Sequence, residues 1–335
     1  MNNKLKIILS AVMLIFVANS NFAQVKLAQS GMKFLSIGGD ARAAAIGGAV
    51  TSVEGNSSSL FYNPAAMSRQ TKTLDVTFAT TKWFADIDYI NAALSYAPSN
   101  GLYGVFGLSI ASVDYGLFNR TIIGADGGSV DLGTYSPTAL AIGFSYSRAL
   151  SDKFSVGGTV KYVYQNIGDG HVVGGDHANY ETAKIDIDVM AFDFGILYKT
   201  GFKSLNFGMS VRNFSQEITY FEEGFQLPLS FKLGLSMNLF DFTDVNPNSH
   251  SFIFSVDAEH PRDNVEMLHL GGEYTFMNIL SLRAGYITPE TTLAGMNYGV
   301  GIKYNINGIF LGVDYAYTEF GDFDPIHRMS VKLSF

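Results

Sequence analysis

The sequence predicts an all-β protein: a transmembrane antiparallel β-barrel of about 14 strands, with a short N-terminal hatch of turns and short helices in the lumen. Three observations predict it. Apolar and polar residues alternate in run after run from residue 72 to residue 335. Charged residues make up only 16% of the chain and aromatics 14%, where soluble globular chains carry about 25% charge. A short apolar segment near the N terminus has the form of an export signal, and no later segment has the roughly 18 uninterrupted apolar residues of a membrane helix.

Residues 1–23 read as a signal peptide. Lys4 and Lys6 form a basic n-region, Ile7 to Ala18 is the apolar run, and Asn21-Phe22-Ala23 offers a cleavage point before Gln24. The formal charge of −8 includes those two lysines, so a chain starting at Gln24 carries −8 − 2 = −10. That balance excludes a nucleic-acid partner, which would need a basic stripe. With 0 Cys, neither disulfides nor thiolate metal sites are available.

The strands follow from period two, which places one set of side chains on each face. Met329, Val331, Leu333 and Phe335 alternate with Ser330, Lys332 and Ser334. Phe231, Leu233 and Leu235 alternate with Lys232, Gly234 and Ser236. Fourteen such runs cover 72–82, 86–97, 102–113, 138–150, 153–167, 185–200, 203–215, 228–240, 250–260, 265–277, 279–288, 296–306, 308–319 and 326–335. The number is even, as single-chain bacterial barrels require, and the expected partner is outer-membrane lipid.

The connections agree. The longest, 114–137, 168–184 and 216–227, follow the third, fifth and seventh runs, so all lie on one side. Tight-turn chemistry at Ser99-Asn100-Gly101, Ser151-Asp152 and Asn307-Gly308 marks the other side, although 241–249 is long there and 261–264 is short on the first side. Aromatics near run ends (Trp83, Phe84, Tyr96, Tyr198, Tyr220, Phe221, Tyr286, Tyr317) fit interfacial girdles. The competing reading, a soluble β-sandwich, calls for more charge and less repetition.

Residues 24–71 do not alternate, and 72–335 form the barrel domain. Asp40 is placed to cap a helix through Ala41 to Ala45, which Gly47-Gly48 ends. Asn63 followed by Pro64 is a second start signal, with Asn at N-cap and Pro at N1. Non-strand backbone at membrane depth must be surrounded by protein, so this segment is assigned to the lumen. There Arg42 has four candidate partners on polar phases: Asp257, Glu259, Glu273 and Asp314.

The stretch FLSIGGDARAAAIGGAVTSV, followed after a short gap by LFYNPAAMS, resembles the N-terminal signature of the PorV/PorQ family. These are outer-membrane proteins related in fold to the FadL transporters. The resemblance covers Phe34 to Met67 and is carried by Ala41-Arg42-Ala43, Gly47-Gly48-Ala49 and Tyr62-Asn63-Pro64-Ala65. Glu54-Gly55-Asn56-Ser57 holds one acid where the family has an acidic run, and Ala66-Met67 replaces its Gly-Leu. The resemblance implies a fourteen-strand barrel with a hatch, no cofactor and no chemistry of its own. It implies service to type IX secretion, with secreted cargo or other type IX components as partners. It also makes Phe335 similar to the terminal aromatic read by the barrel assembly machinery.

Other candidates stay open or weak. Gly104 and Gly107 in GLYGVFG would kink the third strand and open the wall, as in FadL-type lateral gates; alternatively they pack under the hatch. His171, Asp176 and His177 share a loop, but their spacing fits no standard metal set. Asp186 and Asp188 lie on one face of a strand start and read as rim charges. No motif fixes a Ser-His-Asp set, so no catalytic residue is assigned and an enzyme is not expected. Two functional expectations remain: a secretion-associated scaffold acting through its long loops, and an uptake channel for hydrophobic molecules gated by the hatch.

Overall fold

The computed structural model describes residues 30–123, 127–173, 180–220, 223–247, 249–289 and 295–335. The expected signal peptide, the residues between it and Ser30, Asp176, His177 and Phe221 lie outside these.

Fourteen antiparallel strands close into one barrel. They are β1 (Leu74–Lys82), β2 (Asp88–Tyr96), β3 (Val105–Asp114), β4 (Thr138–Ala149), β5 (Phe154–Val173), β6 (Tyr180–Lys199) and β7 (Asn206–Ser215), then β8 (Ser230–Asn238), β9 (His250–Pro261), β10 (Met267–Phe276), β11 (Leu280–Thr288), β12 (Met296–Ile306), β13 (Ile309–Thr318) and β14 (Ile326–Ser334). Each matches one alternating run. Closure is made by β14 on β1, with Asp75 opposite Ser334 and Lys82 opposite His327. Phe335 locks that seam: its N–H donates to the Leu74 carbonyl at 2.8 Å, and its carbonyl accepts from Thr73 N–H at 2.9 Å.

Alternation becomes sidedness. Phe78, Leu108, Phe144, Leu235, Leu282, Ile302 and Met329 project outward and are exposed, while Thr77, Ser95, Ser145, Ser210, Ser255 and Ser330 face inward and are buried. An apolar outer wall with every backbone group paired between strands is what lipid requires. Among the described residues no helix is long and apolar enough to cross a membrane; the strands do the crossing.

The termini of the barrel, Leu74 and Phe335, share one end, here the terminal end. The three longest connections share the other, the loop end. β5 and β6 run 20 residues each, about 65 Å at 3.3 Å per residue, well past the hydrocarbon thickness of roughly 30 Å. Two connections read as loops contain ribbons of their own, Phe118–Ile123 with Ser129–Tyr135 and Ile218–Tyr220 with Glu223–Phe225.

The inner wall is less uniform than strict alternation implies. Toward the loop end, Val113, Ala139, Ala141, Val163, Ile187, Val189 and Ala191 face inward and bury against Met32, Phe34 and Leu35. Residues 30–71 thread the lumen. Ser30 bridges Gln226 at the loop end, and Arg69 donates to the Ser151 carbonyl at 3.1 Å at the terminal end, just before β1. Between them lie α1 (Ala41–Ala45) and 3-10 turns at Lys33–Ser36, Ser57–Phe61 and Pro64–Arg69.

Candidate functional site

The hatch is built from its caps. Asp40 has extended backbone, and its Oδ1 accepts the Ala43 N–H at 3.0 Å, satisfying one free donor of α1. Gly47 and Gly48 end the helix at φ 65° and 77°, a left-handed conformation that side chains resist. Asn63 caps the Pro64–Arg69 turn, its Oδ1 accepting from Ala65 N–H at 3.0 Å. Its amide donates to the Thr51 carbonyl at 2.7 Å and to the Ile196 carbonyl of β6 at 3.0 Å. Asn63 is therefore a cap, an internal brace and an anchor to the wall. Pro64 supplies the fixed φ of the first turn position.

Close approach needs small wall residues. A Cβ on Gly157 would lie 2.6 Å from the Pro64 carbonyl carbon and the Ala65 nitrogen, and one on Gly271 would lie 2.6 Å from the Ile46 carbonyl oxygen. Side chains at these positions and the hatch backbone cannot share the space.

Of the four acids open to Arg42, Glu273 takes it, by hydrogen bonds of 2.8 Å to each carboxylate oxygen. Arg283 also donates to Glu273, at 2.5 Å, and reaches Asp314 at 2.8 Å. Lys332 bridges Asp314 at 3.6 Å and Asp40 at 3.0 Å. Three acids and three bases thus alternate along a chain from Arg42 to Asp40, two contributed by the hatch and four by β10, β11, β13 and β14. Glu273 holds the Arg42 guanidinium well above its ordinary value, against the opposing effect of burial. Burial works against ionising Asp40, but Lys332, the Ala43 N–H and Arg42 outweigh it and hold the carboxyl below the usual range. Burial, reinforced by Asp40, pushes the Tyr62 phenol up.

The other candidate acids serve other parts of the hatch. Asp257 accepts the Thr51 N–H at 2.9 Å. Glu259 lies 2.8 Å from both Lys232 and His269, and His269 Nδ1 lies 2.7 Å from the Gly47 carbonyl. At a register shift of β6 against β7, Lys161 reaches Asp193 at 2.8 Å and Asn213 at 2.6 Å.

The hatch divides the lumen. The loop-end cavity holds about 550 Å³ between α1 and the aromatic residues Trp83, Phe84, Tyr89, Tyr115 and Phe320. The terminal-end cleft holds about 310 Å³ and is lined by Arg42, Glu273, Arg283, Lys303, Asp314 and Lys332. Ala44 and Gly47 face the first, Arg42 the second. α1 and its chain of ion pairs form the septum between them.

Several expectations need correction. The Gly104–Gly107 kink is absent: β2 pairs β3 from Asp88–Asp114 to Tyr96–Phe106, and β3 pairs β4 from Val105–Ser147 to Asp114–Thr138, both without a register shift. Gly104 precedes the strand, at φ 87° in a turn. Gly107 faces inward, where a Cβ would lie 2.7 Å from Leu60, so it packs under the hatch. Trp83 and Phe84 are not girdle residues; they line the cavity and pack on Phe320 with ring centroids 5.2 and 5.4 Å away. Tyr96 and Tyr198 do face outward. Asp186 and Asp188 are exposed, and Asp186 accepts from Tyr164 Oη at 2.8 Å. The backbone of His171 lies in β5.

Sequence reading did not single out Arg283, Lys332, Arg212 or Arg328. The signal for Arg328 and Lys332 was present, because both share the inward phase of β14 with Ser330.

No curated protein matches the chain. The barrel is similar to the solved toluene transporter TbuX of Ralstonia pickettii (TM-score 0.59, 12% identity, 88% of this chain and 98% of that one). It is similar to the Pseudomonas putida toluene transporter TodX (TM-score 0.58, 13% identity, 93% and 99%). It is also similar to a Pseudomonas aeruginosa FadL homologue (TM-score 0.53, 13% identity, 88% and 98%). At such identities the likeness shows the fold alone, a FadL-like antiparallel β-barrel. The model of the type IX secretion system membrane protein family PorP/SprF matches residues 122–332, which is 211 of 335 residues. With more than half of its length matched, the chain belongs to the PorP/SprF family of type IX secretion system membrane proteins.

Proposed function

We propose that the protein is a non-enzymatic component of type IX secretion, exported through a cleaved signal peptide. It holds secreted cargo or another secretion component on its loop end, which faces outward. The family match over residues 122–332 carries this reading. The one-sided elaboration supports it, since the ribbon of Phe118–Ile123 and Ser129–Tyr135 and the extended β5–β6 hairpin stand at that end. Phe34 to Met67 lies outside the matched region and supports a hatch of the PorV/PorQ type. Deleting the gene should leave cargo unsecreted or undisplayed, and a chain lacking residues 118–135 should fail to restore display while still inserting. Normal display in the deletion strain would refute the proposal.

A second reading is uptake of hydrophobic small molecules, with the hatch as gate. The loop-end cavity, with its aromatic wall, favours it. Pairing is unbroken through β2–β4, so in this reading passage runs through the septum at α1 rather than through the wall. Liposomes holding the protein should then take up a fluorescent hydrocarbon faster than empty liposomes; equal rates would end this reading.

A further inference from the structure

Most charged groups of the lumen are paired. In the loop-end cavity wall, Lys33 contacts Asp263, and Lys232 contacts Glu259. Arg328 and Arg212 line the same cavity and are different. Arg328 is 7% exposed; its Nη1 donates to Thr318 Oγ1 at 2.8 Å, and its guanidinium lies 5.4 Å from the Trp83 ring. Its Nε is buried with no partner. Arg212 donates one Nη2 bond of 3.3 Å to the Leu35 carbonyl, and its Nε is likewise buried and unpartnered. Among the described residues no carboxylate forms a salt bridge with either one. Asp40, the hatch acid nearest this region, is held by Lys332 at 3.0 Å.

A buried guanidinium without a counter-charge is costly. A cation–π contact with Trp83 attracts it but does not neutralise it. Two such groups line one cavity from opposite walls, and the aromatic side chains Trp83, Phe84 and Phe320 lie at the Arg328 side. The volume, about 550 Å³, falls in the range of about 300–1,000 Å³ typical of small-molecule sites.

We propose that this cavity binds a small organic acid, with its carboxylate on Arg328 and a compact apolar body against Trp83, Phe84 and Phe320, while Arg212 adds positive charge from the opposite wall. A neutral hydrocarbon would fill the aromatic wall and strip water from Arg328 without pairing it. A bare inorganic anion would pair it and leave the aromatic wall unfilled. A carboxylate on an apolar body satisfies both, and its charge-assisted hydrogen bonds to guanidinium are the strong kind. The site does not depend on the secretion reading: a barrel that displays no cargo would still bind the acid, and one that binds none would still display cargo.

Trp83 is the single tryptophan of the chain and stands in the cavity wall, so its fluorescence reports on this site. The full-length barrel in nonionic detergent is titrated with 4-phenylbutyrate, with neutral butylbenzene and with inorganic phosphate. A saturable change with 4-phenylbutyrate is expected, at an affinity about tenfold or more above that for butylbenzene, and none with phosphate. Arg328→Gln should weaken the acid about tenfold and leave butylbenzene unchanged; Arg328→Lys should restore much of the loss. Heat-modifiable migration on gels confirms that each variant is a folded barrel. If Arg328→Gln does not fold, Arg328→Lys and the comparison of 4-phenylbutyrate with butylbenzene on the unaltered chain carry the test. Equal affinity for acid and hydrocarbon, saturable phosphate binding, no response to the acid, or an Arg328→Gln variant that binds the acid normally would each overturn the proposal.

Discussion

Arg42 of the hatch grips Glu273 of the barrel wall with two parallel hydrogen bonds of 2.8 Å. The pair ties a five-residue helix to a strand 231 residues further along the chain. Arg283 also holds Glu273, so the acid stays charged and placed without Arg42.

Arg42→Ala should therefore loosen the hatch without unfolding the barrel. Breaking a buried pair costs about 3–5 kcal/mol when it strands a charge. Here Arg283 still answers Glu273, so about 3 kcal/mol is expected, the low end of that range. Hydrogen exchange over residues 41–49 should rise sharply while the strands stay protected. Unchanged exchange over 41–49 would mean that the ion pairs do not hold the hatch.

Asn63→Ala carries a larger penalty than a lost cap. From sequence alone the expectation is about 1 kcal/mol. The structure adds two hydrogen bonds, to the Thr51 and Ile196 carbonyls, that the variant leaves unmade. At about 1 kcal/mol for each buried bond, the expected cost is roughly 3 kcal/mol. Protease sensitivity between residues 51 and 70 should increase, and assembly into the membrane should persist.

Hatch docking should depend on acid. The Asp40 carboxyl is held below its ordinary value, so its stabilising effect is complete above the unfolded value of about 3.9 and is lost as pH falls through the folded value. Protection of the Ala43 amide, corrected for intrinsic exchange, should be level from pH 7 to about 4 and fall below that. Asp40→Asn should lower the neutral plateau and flatten the acid step.

Neighbouring glycines should respond in opposite ways. Gly157 faces hatch backbone, and a Cβ there meets the Pro64 carbonyl carbon at 2.6 Å. Gly158 faces the other side, with its nearest contact at 3.5 Å. Gly157→Val should expel the Pro64–Arg69 turn, at a cost of about 1–3 kcal/mol or more, and raise exchange there. Gly158→Val should leave the hatch in place. Equal tolerance at both positions would remove the tight fit of hatch and wall.

Much of this architecture was legible because lipid imposes a local rule. An outward residue must be apolar and its neighbour need not be, so each strand declares itself within its own ten residues. The two caps were legible for a similar reason, since Asp40 and Asn63 answer donors two or three residues away. The ribbon at Phe118–Ile123 and Ser129–Tyr135 was not legible. It stands clear of lipid and core, so neither environment patterns it. Trp83 was misplaced because an aromatic at a strand end suits an interface and a cavity equally.

The sequence by itself determined fourteen strands, their inward and outward faces, the side on which the long connections lie, and a capped segment that belongs inside. It narrowed Arg42 to four acids. Only the closed barrel selected Glu273, gave Asp257 to Thr51 and Glu259 to Lys232 and His269, and left Arg328 and Arg212 without acids around a cavity. Period two assigns a side chain to the inner face but not to a height or an angle around the barrel axis. Those depend on register between strands and on where the hatch lodges, and both are set by contacts hundreds of residues apart.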